Sequence, residues 1–312
     1  MGFEVIAEQI AILGIAMAIG FLAVKLKYLK AEIAASISKI IVRITLPFLI
    51  ITTITSQNLS PEMLKNAVLL AVIEICILLL LFIGGALTGK LFGFTGSRKT
   101  IHKLMSTFGN VIFLGYPLIT ALYGQEGLFY AVIYALINDG MLWTLGVFML
   151  VRDGKRKDAR SPLWNLINPN TVSFAISLIM LALGFRLPQL LHTALSGIGS
   201  LTTYLSMLFI GMTLATIDLK VIYKRISIFV LILIKMVLFP FVLILILRHL
   251  PLDRTLCGVL ILQVAMPAQT VLTILANEYQ SDFKYAAECV FITTILSLGL
   301  LPFCYYLILI LL

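Results

Sequence analysis

Two stretches of the chain place an amide side chain close to a proline inside a long apolar run. In the first, Asn110 precedes Pro117 by seven residues, with Gly115 between them, and in the second, Gln263 precedes Pro267 by four. Proline removes a backbone hydrogen bond from a helix and clashes with the preceding turn. Matched interruptions in the two halves of a membrane protein are typical of a binding site.

These residues favour the binding of an anion. A half-helix that begins at an interruption presents unsatisfied N–H groups and the positive end of its dipole, which suit a carboxylate without a buried cation. The amides of Asn110 and Gln263 both donate and accept hydrogen bonds, so they can orient such a ligand. Alternatively, the amides only satisfy frayed backbone and the prolines are simple kinks, as we expect for Pro47, Pro240 and Pro302.

Four charged residues lie inside apolar runs, and they are Arg43, Glu74, Asp139 and Lys235. Each costs about 2.5 to 3.5 kcal/mol near the centre of a membrane helix, so we expect it to be paired, hydrated or functional. Glu74 and Lys235 lie at similar depth, and a contact between them is one interpretation. Asp139 is a candidate proton acceptor. Arg43 either has a functional role or extends its side chain to the membrane surface.

Two further polar residues occupy matching places in the two halves. Asn138 and Glu288 each follow the proline of their half by 21 residues. We expect Asn138 to contribute to binding, whereas Glu288 is either a coupling group or a solvated carboxylate near the inner mouth. The three histidines, His102, His192 and His249, flank apolar runs, and we expect them to be hydrated at the membrane interface.

The elements that must position these residues are membrane-spanning helices. Hydrophobic residues make up 61% of the 312 residues and charged residues 12%, against about 45 to 50% and about 25% in soluble domains. A membrane helix needs roughly 20 mainly apolar residues. Ten segments qualify, at about 5–24, 36–55, 66–89, 101–123, 127–151, 163–184, 193–217, 227–248, 254–277 and 283–311.

The charges between these segments indicate their orientation. One side carries 17 lysines and arginines and the other carries four, so the positive-inside rule places the richer side in the cytoplasm and both termini outside. The cytoplasmic loop 152–162 then separates a first five-helix repeat, 1–151, from a second, 163–312. An odd number of spans per half means that the second repeat is inverted, as in many secondary transporters.

Several other classes of protein are disfavoured by what the sequence lacks. No P-loop, HExxH or GxSxG motif occurs, which argues against an ATP-driven pump and against common intramembrane enzymes. The four cysteines show no CxxC or Cys/His spacing, so we expect neither disulfides nor a metal site. No basic, aromatic-interleaved stretch suggests a nucleic-acid partner, and we expect no cofactor.

Six short motifs occur in this order along the ten predicted spans, and together they resemble the auxin efflux carrier family, which includes plant PIN carriers and bacterial malonate or malate permease-like proteins. The motifs are Ile37-Ser-Lys-Ile-Ile-Val-Arg-Ile-Thr-Leu-Pro47, Asn110 before Gly115-x-Pro117, Asn168-Pro169, Leu208-Phe-Ile-Gly-Met-Thr-Leu214, Lys235 before Pro240, and Gln263-Val-Ala-Met-Pro267. The resemblance covers nearly the whole chain. The large cytoplasmic loop of some plant members is missing here.

The resemblance implies a fold similar to that of bile-acid sodium symporters, with broken helices 4 and 9 crossing at their prolines. It implies a multi-pass transporter of the cytoplasmic membrane that moves a small organic anion, such as malonate, malate or an auxin-like acid, by an elevator-like or rocking alternation. Protons or sodium are candidate coupling ions, membrane lipids are expected partners, and a homodimer is left open. The alternatives are a sodium-coupled bile-acid-type symporter and, from different classes, an intramembrane enzyme or a receptor.

Overall fold

The part of the chain that the structure, a computed structural model, describes is predominantly helical. That part comprises residues 3–57, 61–153, 169–216 and 226–312, without the side chains of residues 3–10 and 278. Within these ranges there are α-helices, four π-helical segments and no strands, and an isolated antiparallel bridge joins Gly109 to Ala268. The predicted cytoplasmic loop lies outside the described residues from residue 154 onwards, and so do Lys220, Lys224 and Arg225.

The first half of the chain contains seven described α-helices. They are α1 (Phe3–Lys25), α2 (Ile33–Ile40), α3 (Leu46–Thr55), α4 (Pro61–Leu91), α5 (Gly96–Thr107), α6 (Tyr116–Met141) and α7 (Val147–Asp153). Three π-helical segments join consecutive helices, at Ile41–Thr45, Val111–Gly115 and Leu142–Gly146. Gly124 interrupts α6 with φ 63° and ψ −150°, a conformation that glycine adopts readily because it has no β-carbon.

The second half contains another seven described α-helices. They are α8 (Pro169–Ala182), α9 (Gln189–Leu214), α10 (Ile226–Ile232), α11 (Phe239–Leu247), α12 (Arg254–Val264), α13 (Val271–Glu278) and α14 (Phe283–Leu311). A π-helical segment, Leu233–Leu238, joins α10 to α11 and carries Lys235. Asp253 caps α12 and Asp282 caps α14, each by accepting a hydrogen bond from a backbone N–H of the first turn.

Six continuous helical stretches of the described chain are long and apolar enough to span a membrane, and some of them combine consecutive α- and π-helical segments. They are Ile33–Thr55, Pro61–Leu91, Val111–Asp153, Gln189–Leu214, Ile226–Leu247 and Phe283–Leu311. Three shorter apolar helices, Ala11–Lys25, Pro169–Ala182 and Arg254–Val264, fall in other segments that we predicted to span. The protein is therefore a multi-pass membrane protein, and the count of ten spans stays a prediction.

The described residues form two compact units, and each draws on both halves of the chain. The first unit takes its residues from 1–67, 112–132 and 167–217, and the second from 68–111, 133–166 and 218–312. The boundaries at residues 67 and 132 fall inside α4 and α6.

Close backbone packing between α1 and α9 holds the first unit together. A β-carbon at Gly20 would overlap the carbonyl oxygen of Leu208, and one at Gly211 would overlap the carbonyl oxygen of Met17. Small residues of this kind let membrane helices approach closely, because dispersion contacts rather than water exclusion drive their association. The Thr202 hydroxyl of α9 also donates to the Thr45 hydroxyl at 2.8 Å.

Candidate functional site

Two non-helical segments of the second unit pair with each other. Residues 108–110 follow the end of α5, and residues 265–270 separate α12 from α13. The backbone N–H of Asn110 donates to the carbonyl oxygen of Pro267 at 2.8 Å, and that of Gln269 donates to the carbonyl oxygen of Phe108 at 3.2 Å. These two bonds satisfy backbone groups that the helix ends would otherwise leave unpaired. We call this pairing the crossing.

Local sequence explains why both helices stop here. Pro267 has no N–H and so cannot continue the hydrogen bonding of α12. Gly109 favours a non-helical conformation, and its lack of a side chain admits the segment 265–270, because a β-carbon there would lie 3.3 Å from Cβ of Met266. In the first half the chain leaves the helix at Phe108–Asn110, ahead of Pro117, which instead lies in the first turn of α6.

The two predicted amides are buried in the second unit with polar atoms unused. The Asn110 side chain donates from Nδ2 to the Thr270 hydroxyl at 3.2 Å, whereas its Oδ1 accepts no hydrogen bond from the described residues. Neither Nε2 nor Oε1 of Gln263 forms a hydrogen bond with the described residues. A buried polar atom left unpaired costs about 1 to 3 kcal/mol, so these atoms are suited to a bound ligand or water.

Lys235 stabilises the crossing through hydrogen bonds at the carboxyl end of α5. Its ammonium is buried and donates to the carbonyl oxygen of Phe108 at 2.6 Å and to that of Met105 at 3.4 Å. A cation is favourable at this position because the last carbonyls of a helix form the negative end of its dipole. Among the described residues the ion pairs are Arg98–Asp282 and Arg152–Asp153, so the structure does not bring Lys235 into a salt bridge with Glu74.

Asp139 is connected to the crossing through Gln269. Its Oδ1 accepts hydrogen bonds from the Asn138 side chain at 3.2 Å and from Nε2 of Gln269 at 3.3 Å. Glu74 of α4 is fully buried, and its carboxylate interacts electrostatically with that of Asp139. Neither carboxyl oxygen of Glu74 accepts a hydrogen bond of normal length and angle from the described residues. The structure thus brings Asn138, Asp139 and Glu74 together in the second unit.

Glu288 lies in the second turn of α14 and is 4% exposed. This burial argues against the alternative of a solvated carboxylate. On the same helix, the Thr293 hydroxyl accepts a hydrogen bond from the backbone N–H of Ala268 at 3.0 Å, and so α14 contacts the crossing directly.

Three predicted site residues belong to the first unit. Gly115 ends the π-helical segment Val111–Gly115, and Pro117 is buried two residues later. Arg43 lies in the π-helical segment Ile41–Thr45 and is exposed, which agrees with a side chain that reaches the membrane surface.

Three residues that form or contact the crossing were not predicted from the sequence, namely Gln269, Thr270 and Thr293. Gln269 and Thr270 follow Pro267 by two and three residues, and a polar pair so close to a proline inside an apolar run is a signal that could have identified them. Thr293 gave no such signal, because threonine is common in membrane helices, where its hydroxyl bonds to the preceding turn.

The prediction of a hydrated interfacial histidine is wrong for His102. Its ring is completely buried, with Nε2 at 2.8 Å from the Thr88 hydroxyl and Nδ1 at 2.8 Å from the Tyr285 hydroxyl. The Tyr285 hydroxyl also lies 3.2 Å from that of Ser227. His102 therefore ties α5 to α4 and α14 inside the second unit, where two hydroxyl partners replace the water that we expected.

Comparisons with known proteins agree in assigning transport. A family model described as membrane transport protein matches residues 5–165 and 160–305. The chain is 28% identical to an uncharacterized transporter from Methanocaldococcus jannaschii, over 93% of this chain and 95% of that protein. It is 25% identical to an uncharacterized transporter from Methanothermobacter thermautotrophicus, over 91% and 92% of the two chains.

Proposed function

The chain belongs to the membrane transport protein family, the family of the auxin efflux carriers, and from that premise we propose that it is a secondary transporter of a small organic anion. The substrate class is a carboxylate such as malonate, malate or an auxin-like acid, carried across the cytoplasmic membrane by alternating access. The observation that carries this proposal is the crossing, where the buried amides of Asn110 and Gln263 have donor and acceptor atoms that form no hydrogen bond with the described residues.

The ligand chemistry follows from the groups around the crossing. Nε2 of Gln263 is a buried donor without a partner in the described chain, and a carboxylate oxygen is a strong acceptor for it. The helix α13 begins at Val271, directly after the crossing, so the positive end of its dipole faces the same region. The ammonium of Lys235 adds a positive charge at the segment 108–110 of the crossing, where it donates to the carbonyl oxygen of Phe108.

We propose that the two segments of the crossing are the broken helices 4 and 9 of two inverted five-helix repeats, 1–151 and 163–312. Their antiparallel bridge at Gly109 and Ala268 supports this relation, because inverted repeats bring equivalent segments together in opposite directions. All hydrogen bonds of the crossing lie in the second unit, which suits an elevator-like movement that carries the site with that unit. Both termini face outward in this arrangement.

We propose that the carboxyl groups of Asp139 and Glu74 couple transport to protons. Two carboxyl groups that interact in a buried site do not readily ionise together, because like charges repel strongly in a medium of low dielectric constant, so the pair can bind and release a proton. The bond from Gln269 to Asp139 connects that event to the crossing. A sodium-coupled symporter is the second candidate, since side-chain oxygens of Glu74, Asn138 and Gln269 that accept no hydrogen bond from the described part of the chain could serve as ligands for a hard cation.

The experiment is counterflow and uptake in proteoliposomes with a panel of mono- and dicarboxylates, with and without pH and sodium gradients. We expect saturable movement of one anion that a pH gradient accelerates and that Asp139→Asn makes insensitive to the gradient. Acceleration by sodium alone would favour the second candidate. If no carboxylate moves through correctly folded protein, the proposed substrate class is wrong.

Side-chain variants test the location of the site. Asn110→Ala and Gln263→Ala should each weaken the affinity for the transported anion about tenfold or more, because a hydrogen bond to a charged group contributes roughly 1.5 to 3 kcal/mol. The matched control is Asn277→Ala, which removes an exposed amide from α13. Unchanged affinity in both buried-amide variants, with normal folding, would place the site elsewhere.

A further inference from the structure

A groove of about 540 Å³ opens at the turn that joins α1 to α2, within the first unit. Its lining combines lysine ammonium groups with apolar side chains and one carboxylate, and consists of Val24, Lys27, Leu29, Lys30, Ala31 and Glu32. We call it the Lys27–Lys30 groove. A ligand that fits such a lining carries a negative group next to an apolar part.

The two lysines of the groove are not neutralised by neighbouring carboxylates. The ion pairs found in the described ranges are Arg98–Asp282 and Arg152–Asp153, so neither Lys27 nor Lys30 pairs with Glu32. Two ammonium groups against one carboxylate leave a net positive lining. Lys25, just outside the groove, directs its ammonium to the Phe21 ring, 5.7 Å from the centroid.

The backbone at Lys27 is held in a conformation that disfavours its side chain. Lys27 has φ 61°, in the left-handed region, and comparable turns of the described chain use Gly93 and Gly184, with φ 63° and 66°, and in one case another long polar residue, Gln280, with φ 53°. A residue with a β-carbon is less stable than glycine there. Strain of this kind at a charged residue points to a role for the side chain.

The residues beside Lys27 identify the kind of occupant. Leu26 is 61% exposed and Tyr28 is 81% exposed. This turn lies directly before the candidate membrane span Ile33–Thr55, and tyrosine is enriched at the ends of membrane spans, where the headgroups of the bilayer lie. A soluble anion would use the lysines but not these apolar neighbours.

We propose that the Lys27–Lys30 groove binds the headgroup of an anionic phospholipid. The two ammonium groups act as point charges on the headgroup phosphate, and Val24 and Leu29 contact the apolar part next to it. The Glu32 carboxylate weakens the attraction of the groove for a negatively charged headgroup. Lipid binding in this groove does not depend on which substrate the protein transports.

The test is binding of phosphatidylglycerol to the purified full chain in detergent, measured by native mass spectrometry, with phosphatidylcholine as the zwitterionic comparison. We expect Lys27→Gln and Lys30→Gln each to weaken phosphatidylglycerol binding about fivefold, and the double variant about 30-fold. Glu32→Gln should strengthen it. Lys39→Gln, which removes an exposed lysine of α2 outside the groove, should change it less than twofold.

Lys27→Gly separates binding from folding. It relieves the backbone strain and removes the charge, so the thermal midpoint without lipid should rise while phosphatidylglycerol binding falls about fivefold. The proposal is overturned if phosphatidylcholine binds equally well, if Lys39→Gln causes the same loss as Lys27→Gln, or if inorganic phosphate or glycerol 3-phosphate displaces the lipid, which would indicate a site for soluble anions.

Discussion

Replacing Lys235 by methionine tests whether this lysine supports the crossing or pairs with Glu74. Methionine keeps the length and apolar stem of the side chain and removes the ammonium. The variant therefore loses the hydrogen bond of 2.6 Å to the carbonyl oxygen of Phe108 and the longer one of 3.4 Å to that of Met105.

The expected loss of stability follows from these two bonds. A hydrogen bond from a charged donor contributes roughly 1.5 to 3 kcal/mol. The Phe108 carbonyl keeps its bond from the Gln269 N–H at 3.2 Å, so it is not left unpaired. Burying an apolar thioether in place of an ammonium also removes a desolvation cost. We expect a net loss of about 2 kcal/mol, or a fall in the thermal midpoint of about 4 to 8 °C.

Thermal unfolding in detergent measures this loss, and two further variants control it. Lys284→Met, the same change at an exposed lysine of α14, should leave the midpoint nearly unchanged. Glu74→Gln combined with Lys235→Met should give the sum of the two single effects, since the residues form no ion pair. A normal midpoint in Lys235→Met would refute the reasoning, and so would recovery of stability in the double variant, because recovery is the signature of a buried pair.

Three other predictions concern the packing and the orientation of the chain. Gly211→Ala should lower the free energy of unfolding by about 1 to 3 kcal/mol, because its β-carbon would overlap the Met17 backbone. Gly197→Ala on the same helix meets no atom within 4 Å and should be neutral or stabilising, and the thermal midpoints of the two variants test this difference. His102→Ala should lower the midpoint more than His192→Ala, since only His102 is fully buried between two hydroxyl groups, and equal effects would contradict this. In membrane vesicles, single cysteines placed within 152–162 should react only from the cytoplasm and those at both termini only from outside; a cytoplasmic amino terminus would contradict the inverted repeat.

The sequence by itself determined the class of protein and the place of one interruption. A hydrophobic content of 61% predicts membrane helices because no soluble surface can be covered with so few polar residues. Pro267 predicts the end of α12, since the missing N–H is a property of that residue alone. The family resemblance likewise depends on local motifs such as Gln263-Val-Ala-Met-Pro267, and the matching family model confirms it.

Only the tertiary structure decided which groups meet at the crossing. The position of Pro117 in the sequence suggested it as the matching interruption, but α5 already ends before Phe108. There, Gly109 allows the close approach of Met266. Lys235 binds a carbonyl 127 residues away rather than Glu74. Depth in the membrane follows from position along a helix, whereas the partner of a buried side chain depends on the rotation and packing of every helix around it, which hydropathy does not encode.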